Sequence, residues 1–498
     1  MAHCNGASEA MTSTLPYDEF IRRKLATVPP SGIVNAYDTQ LHPRLFGHQA
    51  LLVRWALRRG KAAIFAGTGL GKTGVQTVWS EQVRQHLYRT RLAPARVLIV
   101  APLAVAAQTV QEAERFGVTV RYMRKPEAMP ESGIVITNYE MLQHFDMREF
   151  GGVAYDESSI IKNQDGKTRK LVIQSAASVL FRLPCTATPA PNDLTELGNH
   201  AELLGICSMG DMLATYFVND GDAAKKKRGK AAGSRGTKWR LKGHARERFW
   251  RWVCSWGALV RKPSDLGFSD EGYNLPPLTY HEHIVAADAN AARDQGRLPG
   301  MAEAAKTLNE QRKARRATVK ERVALTADIV ASKPDVPWVI WCGLNDESAA
   351  LAKAIPGSTE LVGSMSVEEK ERILGGFATG DVTKLITKAS MSGFGMNWQH
   401  CRDTVVYPSH SWEEWHQLLA RFWRFGQTQE VNAHLVVSAL EGEVLANVKR
   451  KEAEAKAMAE ELSTLTREYV RDETSEAKRE HTDYNPKQRV VLPAWLGA

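Results

Sequence analysis

The segment "AGTGLGKT" (Ala66 to Thr73) sets three glycines ahead of a lysine and a threonine. An apolar run, "AAIFAG", leads into it and a helical pattern follows, which is the context in which a Gly-rich loop wraps phosphate. Gly67, Thr68, Gly69 and Gly71 let the backbone N–H groups turn inward around β- and γ-phosphates, at the positive end of a helix. Lys72 adds a point charge to those phosphates, and Thr73 an oxygen for Mg2+. A second segment, "VAYDESSIIKN" (153–163), runs apolar and then places Asp156 beside Glu157. Adjacent anions at the end of a buried strand repel, and a cation with its bound phosphate compensates them. Asp156 is expected to hold the Mg2+ shell, and Glu157 to orient or deprotonate an attacking water. A third, "QLLARFWRFGQ" (417–427), spaces Arg421 and Arg424 to share one face of a helix. Phe422, Trp423 and Phe425 around them suggest a buried interface, from which both arginines reach a γ-phosphate and offset charge in the transition state.

These groups need a rigid frame, and the pattern supplies one. Strand-length apolar runs at 62–67, 97–102, 133–138, 153–157 and 179–189 alternate with helical stretches such as "AVAAQTVQEAERF". A second series follows at 337–342, 358–363, 383–390, 403–408 and 432–437. Such alternation predicts parallel sheets flanked by helices, in two α/β units. The expected division is an N-terminal polar segment (1–35), a first lobe (36–275) with a helical basic insertion at about 211–270, a linker and helical brace (276–332), a second lobe (333–440), and a C-terminal helix and tail (441–498). No internal sequence repeat relates the two lobes.

The chain has 498 residues, enough for several cores. Its six cysteines are scattered with no CxxC pair, which argues against structural zinc and for a reducing, intracellular setting. The first residues lack the pattern of a signal peptide, and no apolar span approaches membrane length, so a cytoplasmic protein without a membrane partner is expected. Residues 225–248 carry eleven Lys or Arg against one acid, more than the net +9 of the whole chain. Lys225, Lys226, Lys227, Arg228 and Lys230 begin this patch, whose Gly and Ala spacing suits a loop that tracks a nucleic-acid backbone without reading sequence. Trp250, Trp252 and Trp256, just beyond it, fit core packing of a helical protrusion better than base stacking.

The order of motifs resembles the Swi/Snf-type branch of helicase superfamily two, DEAD/DEAH-like ATPases, in the short form that bacteriophages encode. The likeness spans about residues 41 to 450. "LFGHQ" looks like the adenine-reading segment, which would make Gln49 the adenine contact and ATP the nucleotide. "VLIVAPLAVAAQTVQEAERF" and "IVITNYEML" look like the DNA-side motifs of the first lobe, and "TATPAPNDLTEL" (186–197) like the segment coupling hydrolysis to movement. "VIWCGLN", "SMSGFGMNWQH" and "QLLARFWRFGQ" follow the pattern of the second lobe. By this resemblance Thr186, Thr188, Gly395, Asn397 and Gln417 take part in coupling. Two departures stand out: Ser159 where the family's box ends in His, and Trp398 where a smaller residue is usual. The resemblance implies two tandem RecA-like P-loop lobes and an ATP hydrolase that uses Mg2+ and translocates on double-stranded DNA, remodelling DNA structures or DNA–protein complexes. A strand-separating helicase on forked DNA or RNA, and an ATP-gated DNA clamp that does not translocate, are the alternatives.

Overall fold

The computed structural model describes residues 27–126, 129–191, 193–219, 239–286, 315–392, 397–409, 412–439 and 442–476. Lys225, Lys226, Lys227, Arg228, Lys230 and Gly395 lie outside them, as does the basic patch up to residue 238.

The first five predicted apolar runs form β1 (Ala63–Ala66), β2 (Arg96–Ala101), β4 (Gly133–Asn138), β5 (Gly152–Tyr155) and β6 (Phe181–Thr186); β3 (Val120–Tyr122) and β9 (Gly257–Val260) join them. All pair in parallel in one seven-stranded sheet, in the order β3-β4-β2-β5-β6-β1-β9. The helices of this lobe are α1 (Gly47–Arg59), α2 (Lys72–Thr90), α3 (Leu103–Glu114), α4 (Lys167–Ala176), α5 (Leu197–Leu204), α6 (Met209–Tyr216) and α7 (Arg246–Cys254). Strand periodicity sorts β2 between the two faces. Val97 and Ile99 meet Leu52, Val75 and Trp79 of α1 and α2, whereas Leu98 and Val100 meet Leu142, Val172 and Ala176 on the other side. Both faces are covered, as a parallel sheet requires.

The second lobe contains β10 (Leu278–Val285), β11 (Trp338–Cys342), β12 (Ser358–Glu360), β13 (Lys384–Lys388), β14 (Asp403–Val406) and β15 (Val431–Ser438). They form a six-stranded parallel sheet in the order β10-β15-β14-β11-β13-β12. Its helices are α8 (Val319–Ala331), α9 (Asn345–Ala354), α10 (Val367–Thr379), the short α11 (Ala389–Ser392) and α12 (Trp412–Leu419). A small antiparallel pair of strands, β7 (Phe217–Asn219) and β8 (Trp239–Leu241), flanks the first part of the basic patch. The fold is thus two tandem RecA-like α/β lobes.

Several boundaries differ from the sequence expectation. Leu278–Val285, placed in the linker by its polar alternation, is a full edge strand pairing with β15 over its whole length. Gly257–Val260, placed in the insertion, is the edge strand beside β1. Trp250, Trp252 and Trp256 are buried under it, in the core shared with α5 and α6. The brace helix α8 packs Val323 and Ile329 onto the second sheet, where its Arg322 and Glu347 of α9 form a fully buried ion pair at 2.8 Å.

The C-terminal helix, α13 (Gly442–Glu476), leaves the second lobe and returns to the first. Lys449 pairs with Glu282 of β10 at 2.5 Å. Further along, Glu460 lies 3.6 Å from Arg261, and Thr466 Oγ1 accepts the backbone N–H of Leu259 at 3.2 Å. The free edge of β9 is therefore covered rather than left open to another chain. Among the described residues, no helix is long and apolar enough to cross a membrane.

Candidate active site

Strand order brings the chemistry together. β6 lies between β1 and β5, so the loops leaving the C-terminal ends of all three converge, where open α/β sheets bind ligands. The Gly-rich loop leaves β1, the Thr186–Thr188 segment ends β6, and Asp156 and Glu157 follow β5. Gly69 and Gly71 have φ of +85° and +76°, a region that side chains other than glycine enter at a cost. The Lys72 ammonium donates to the Ala66 carbonyl at 3.0 Å, closing the loop across its mouth. Gln49 braces it from outside: its Oε1 accepts from Phe46 N at 3.1 Å and its Nε2 donates to the Leu70 carbonyl at 3.1 Å. A Cβ on Gly71 would strike that amide.

Asp156 is buried, and Gln76 of α2 donates to its Oδ1 at 2.7 Å. The Tyr139 hydroxyl donates to its backbone carbonyl at 2.6 Å. Burial, and next the neighbouring Glu157 charge, push the Asp156 carboxyl up to about 6. A carboxylate so placed gains from a cation. Glu157 has φ +47°, an uncommon conformation for a non-glycine residue, and opens a single 3-10 turn, Ser158–Ile161. Side chains held this way cluster at functional sites.

The second lobe adds Gln417 of α12, with Arg421 and Arg424 beyond it, to the same cleft. The expectation that both arginines share a helix face is corrected: α12 ends at Leu419, and they sit on consecutive turns. Gly426, with φ +91°, and the Gln427 amide, which donates to the carbonyls of Gln399 and Phe422, fix this path. Arg421 is 3% exposed and its guanidinium lies over the Trp398 ring, 5.7 Å from the centroid. Trp398, one of the two departures, is thus a core residue that supports an arginine, packed edge-on to Phe377 and tilted against Trp341 and Phe422. Burial pushes the Arg421 guanidinium down to about 9, opposed by Glu157, and it stays charged at neutral pH. Burial also lowers Arg424, against Glu112 and Glu157.

Gln49, Thr68, Gly69, Gly71, Lys72, Thr73, Asp156, Glu157, Thr188, Gln417, Arg421 and Arg424 all line one interlobe cleft of about 320 Å3. Gly67 and Thr186 do not reach its lining; Thr186 is buried at the end of β6, its Oγ1 accepting from Thr188 N at 3.2 Å. Asn397 is exposed outside the cleft. Sequence reasoning placed Phe425 at a buried interface but missed Phe46 and Tyr273, which join it at the mouth, Tyr273 and Phe425 with centroids 4.5 Å apart. Their signal was present only as aromatic residues beside motif positions, and the pairing of Tyr273 with Phe425 joins segments far apart in the chain.

Among the described residues, no group of three His, Cys, Asp or Glu is arranged to hold a metal ion alone. That suits Mg2+, which binds through one or two protein oxygens together with phosphate oxygens and water. Thr73 and Asp156, both lining the cleft, are the residues that would hold it.

Fold and site together define a two-lobed P-loop α/β protein. No protein-family model and no curated protein matches the sequence. Among solved structures the chain is similar to the Sulfolobus solfataricus SWI2/SNF2 ATPase core in complex with dsDNA, at 18% identity, covering 86% of this chain and 95% of that chain, with a TM-score of 0.37.

Proposed function

We propose that this chain is an ATP-hydrolysing nucleic-acid motor, a DNA-stimulated ATPase that translocates on double-stranded DNA. The observation that carries the reading is the shared cleft: Lys72, Thr73, Asp156 and Glu157 face it from the first lobe, and Arg421 and Arg424 from the second. A nucleotide site completed by a second lobe makes hydrolysis depend on lobe closure, the arrangement a motor needs. The basic patch at 225–248 and the order of motifs favour DNA as the track.

In this reading the Gly-rich loop holds the phosphates with its N–H groups, and Lys72, released from Ala66, offsets their charge. Thr73 and Asp156 would hold Mg2+, which when bound would supply positive charge against the phosphate oxygens. Glu157 orients the water on the opposite side and accepts its proton. Arg421, fixed on Trp398, and Arg424, drawn from Glu112, offset charge on the departing phosphates when the lobes close. Repeated closing and opening would step the lobes along the duplex.

Steady-state ATP hydrolysis without nucleic acid, and with single-stranded DNA, double-stranded DNA or RNA, tests the proposal, with Lys72→Ala as the blank. Strong stimulation by duplex DNA, followed by displacement of a third strand from a triplex, is the expected result. Rates that ignore every nucleic acid overturn it, and stimulation by RNA or forked DNA alone would transfer the reading to a strand-separating helicase.

A further inference from the structure

The residue at the end of the "DESS" box, Ser159, is not the histidine that the resemblance leads one to expect. A histidine nonetheless reaches the same turn from elsewhere. His200 of α5 shares a hydrogen bond with Ser158 Oγ at 3.0 Å through its Nε2, and both side chains are buried. The ring is held edge-on by Phe65 of β1, centroids 5.2 Å apart at 82°. His200 therefore touches the strand that delivers the Gly-rich loop and the turn that begins at Glu157.

Its neighbours on α5 grip the same stretch of chain. Asn199 donates to the Lys162 carbonyl at 3.0 Å and accepts from Arg169 at 2.8 Å, while Arg169 pairs with Glu202 at 2.6 Å. These bonds tie α5 to Ser158–Arg169. α5 also packs against α6: Glu202 Oε2 accepts from Met209 N at 3.3 Å, and a Cβ on Gly198 would lie 2.6 Å from Met209 Sδ. α6 leads directly into β7 of the strand pair that flanks the first part of the basic patch. One helix thus touches both the turn that follows Glu157 and the helix that leads into β7.

We propose that His200 is a positioning residue: through Ser158 it sets the backbone turn that aims Glu157, and so couples the segment after β6, which carries α5, to the hydrolytic carboxylate. This rests on the motor reading above. The four-residue turn behind a left-handed Glu157 is held at its far end by Ile161 in the core and by Asn199 on the Lys162 carbonyl, and at its near end by the Ser158–His200 bond. A buried hydrogen bond there has a direct geometric consequence for the side chain two atoms of backbone away. His200 itself does not line the cleft, so it acts on hydrolysis through Ser158 and not on the nucleotide.

The experiment uses the full chain as His200→Leu, His200→Gln, Ser158→Ala and the Ser158→Ala/His200→Leu double variant. ATP hydrolysis is read with and without duplex DNA, and affinity by titration with a fluorescent ATP analogue. His200→Leu is expected to lose about tenfold in the ratio of stimulated to unstimulated rate, the size of an ordinary coupling between sites, with analogue affinity near wild type. His200→Gln, which can still bond Ser158, retains the ratio; a merely structural role would give no such rescue. The double variant is expected to be no worse than His200→Leu, since one bond is lost in both. A folded His200→Leu chain with the wild-type ratio overturns the proposal, as do additive losses in the double variant. If His200→Leu does not fold, Ser158→Ala decides: a lost ratio supports the proposal and a wild-type ratio overturns it. A wild-type chain that duplex DNA leaves unstimulated overturns the motor reading itself, an outcome distinct from a stimulated wild type whose variants behave like it.

Discussion

The side-chain amide of Gln76 donates to Asp156 Oδ1 over 2.7 Å, with both groups buried. Gln76 sits one turn into α2, behind the Gly-rich loop, so the bond ties the two phosphate-side segments of the first lobe together. Partners of this kind orient metal-binding carboxylates and raise affinity for the metal. Gln76→Ala is expected to raise the Mg2+ concentration for half-maximal ATP hydrolysis by about 10- to 100-fold. An unchanged Mg2+ titration would remove Asp156 from the proposed metal shell.

Glu157→Gln keeps the shape of the side chain and removes its basicity. ATP-analogue binding is expected to persist while turnover falls by about 100-fold or more, the usual worth of a positioned general base. Turnover near wild type would mean that another group handles the water.

Gly69 and Phe425 meet across the lobes: a Cβ on Gly69 would lie 2.8 Å from the Phe425 backbone nitrogen. With φ at +85°, Gly69→Ala also strains the loop by roughly 1–2 kcal/mol. The expected outcome is a folded chain whose analogue affinity drops by about tenfold or more, the loss that such strain imposes on a preorganised loop. Wild-type affinity would show that the lobes part at this point before nucleotide enters.

Burial pushes the His200 imidazole, and separately that of His416, down to about 4 from 6.5. The folded chain then binds fewer protons at these sites than the unfolded chain. Their contribution is complete above pH 6.5 and is lost as pH falls towards 4, on the order of 3 kcal/mol for fully buried His200. Melting temperature should fall between pH 6.5 and 5, before most carboxylates titrate, and fall less steeply in His200→Gln. Parallel curves for the two chains would contradict a neutral buried imidazole.

Arg322 and Glu347 are both fully buried, and Glu347 Oε2 also accepts from the backbone N–H groups of Gly343 and Leu344 at 2.8 and 2.9 Å. Removing one ion leaves the other without its counter-charge. Arg322→Met is expected to cost about 3–5 kcal/mol, read as a shift of the urea midpoint. A shift under about 1 kcal/mol would place the pair in water rather than in the core.

The sequence made the P-loop, the acidic pair and the central strands legible, because each carries a local pattern: glycines at fixed spacing, carboxylates behind an apolar run, apolar runs of strand length. It did not reveal β10, whose Thr279, His281 and His283 alternate with exposed residues and read as linker until β15 supplies a partner. The turns at Arg421 and Arg424 were hidden by a helical spacing that Gly426 and Gln427 override. The cleft's aromatic mouth was invisible for another reason, since Phe46, Tyr273 and Phe425 meet only when both lobes are assembled. The departure at Ser159 signalled a missing contact, and only the packed α5 shows a histidine arriving by a different route.

α13 leaves the second lobe after β15 and ends on the edge strand of the first, so the lobes are joined twice: once by the chain entering β10, once by this helix. A body held at one point can swivel in every direction. Held at two, it turns about the line through both, like a door on paired hinges. In the proposed motor, the C-terminal helix would thereby restrict the path along which Arg421 and Arg424 approach the Gly-rich loop, and trade freedom of motion for repeatability of each stroke.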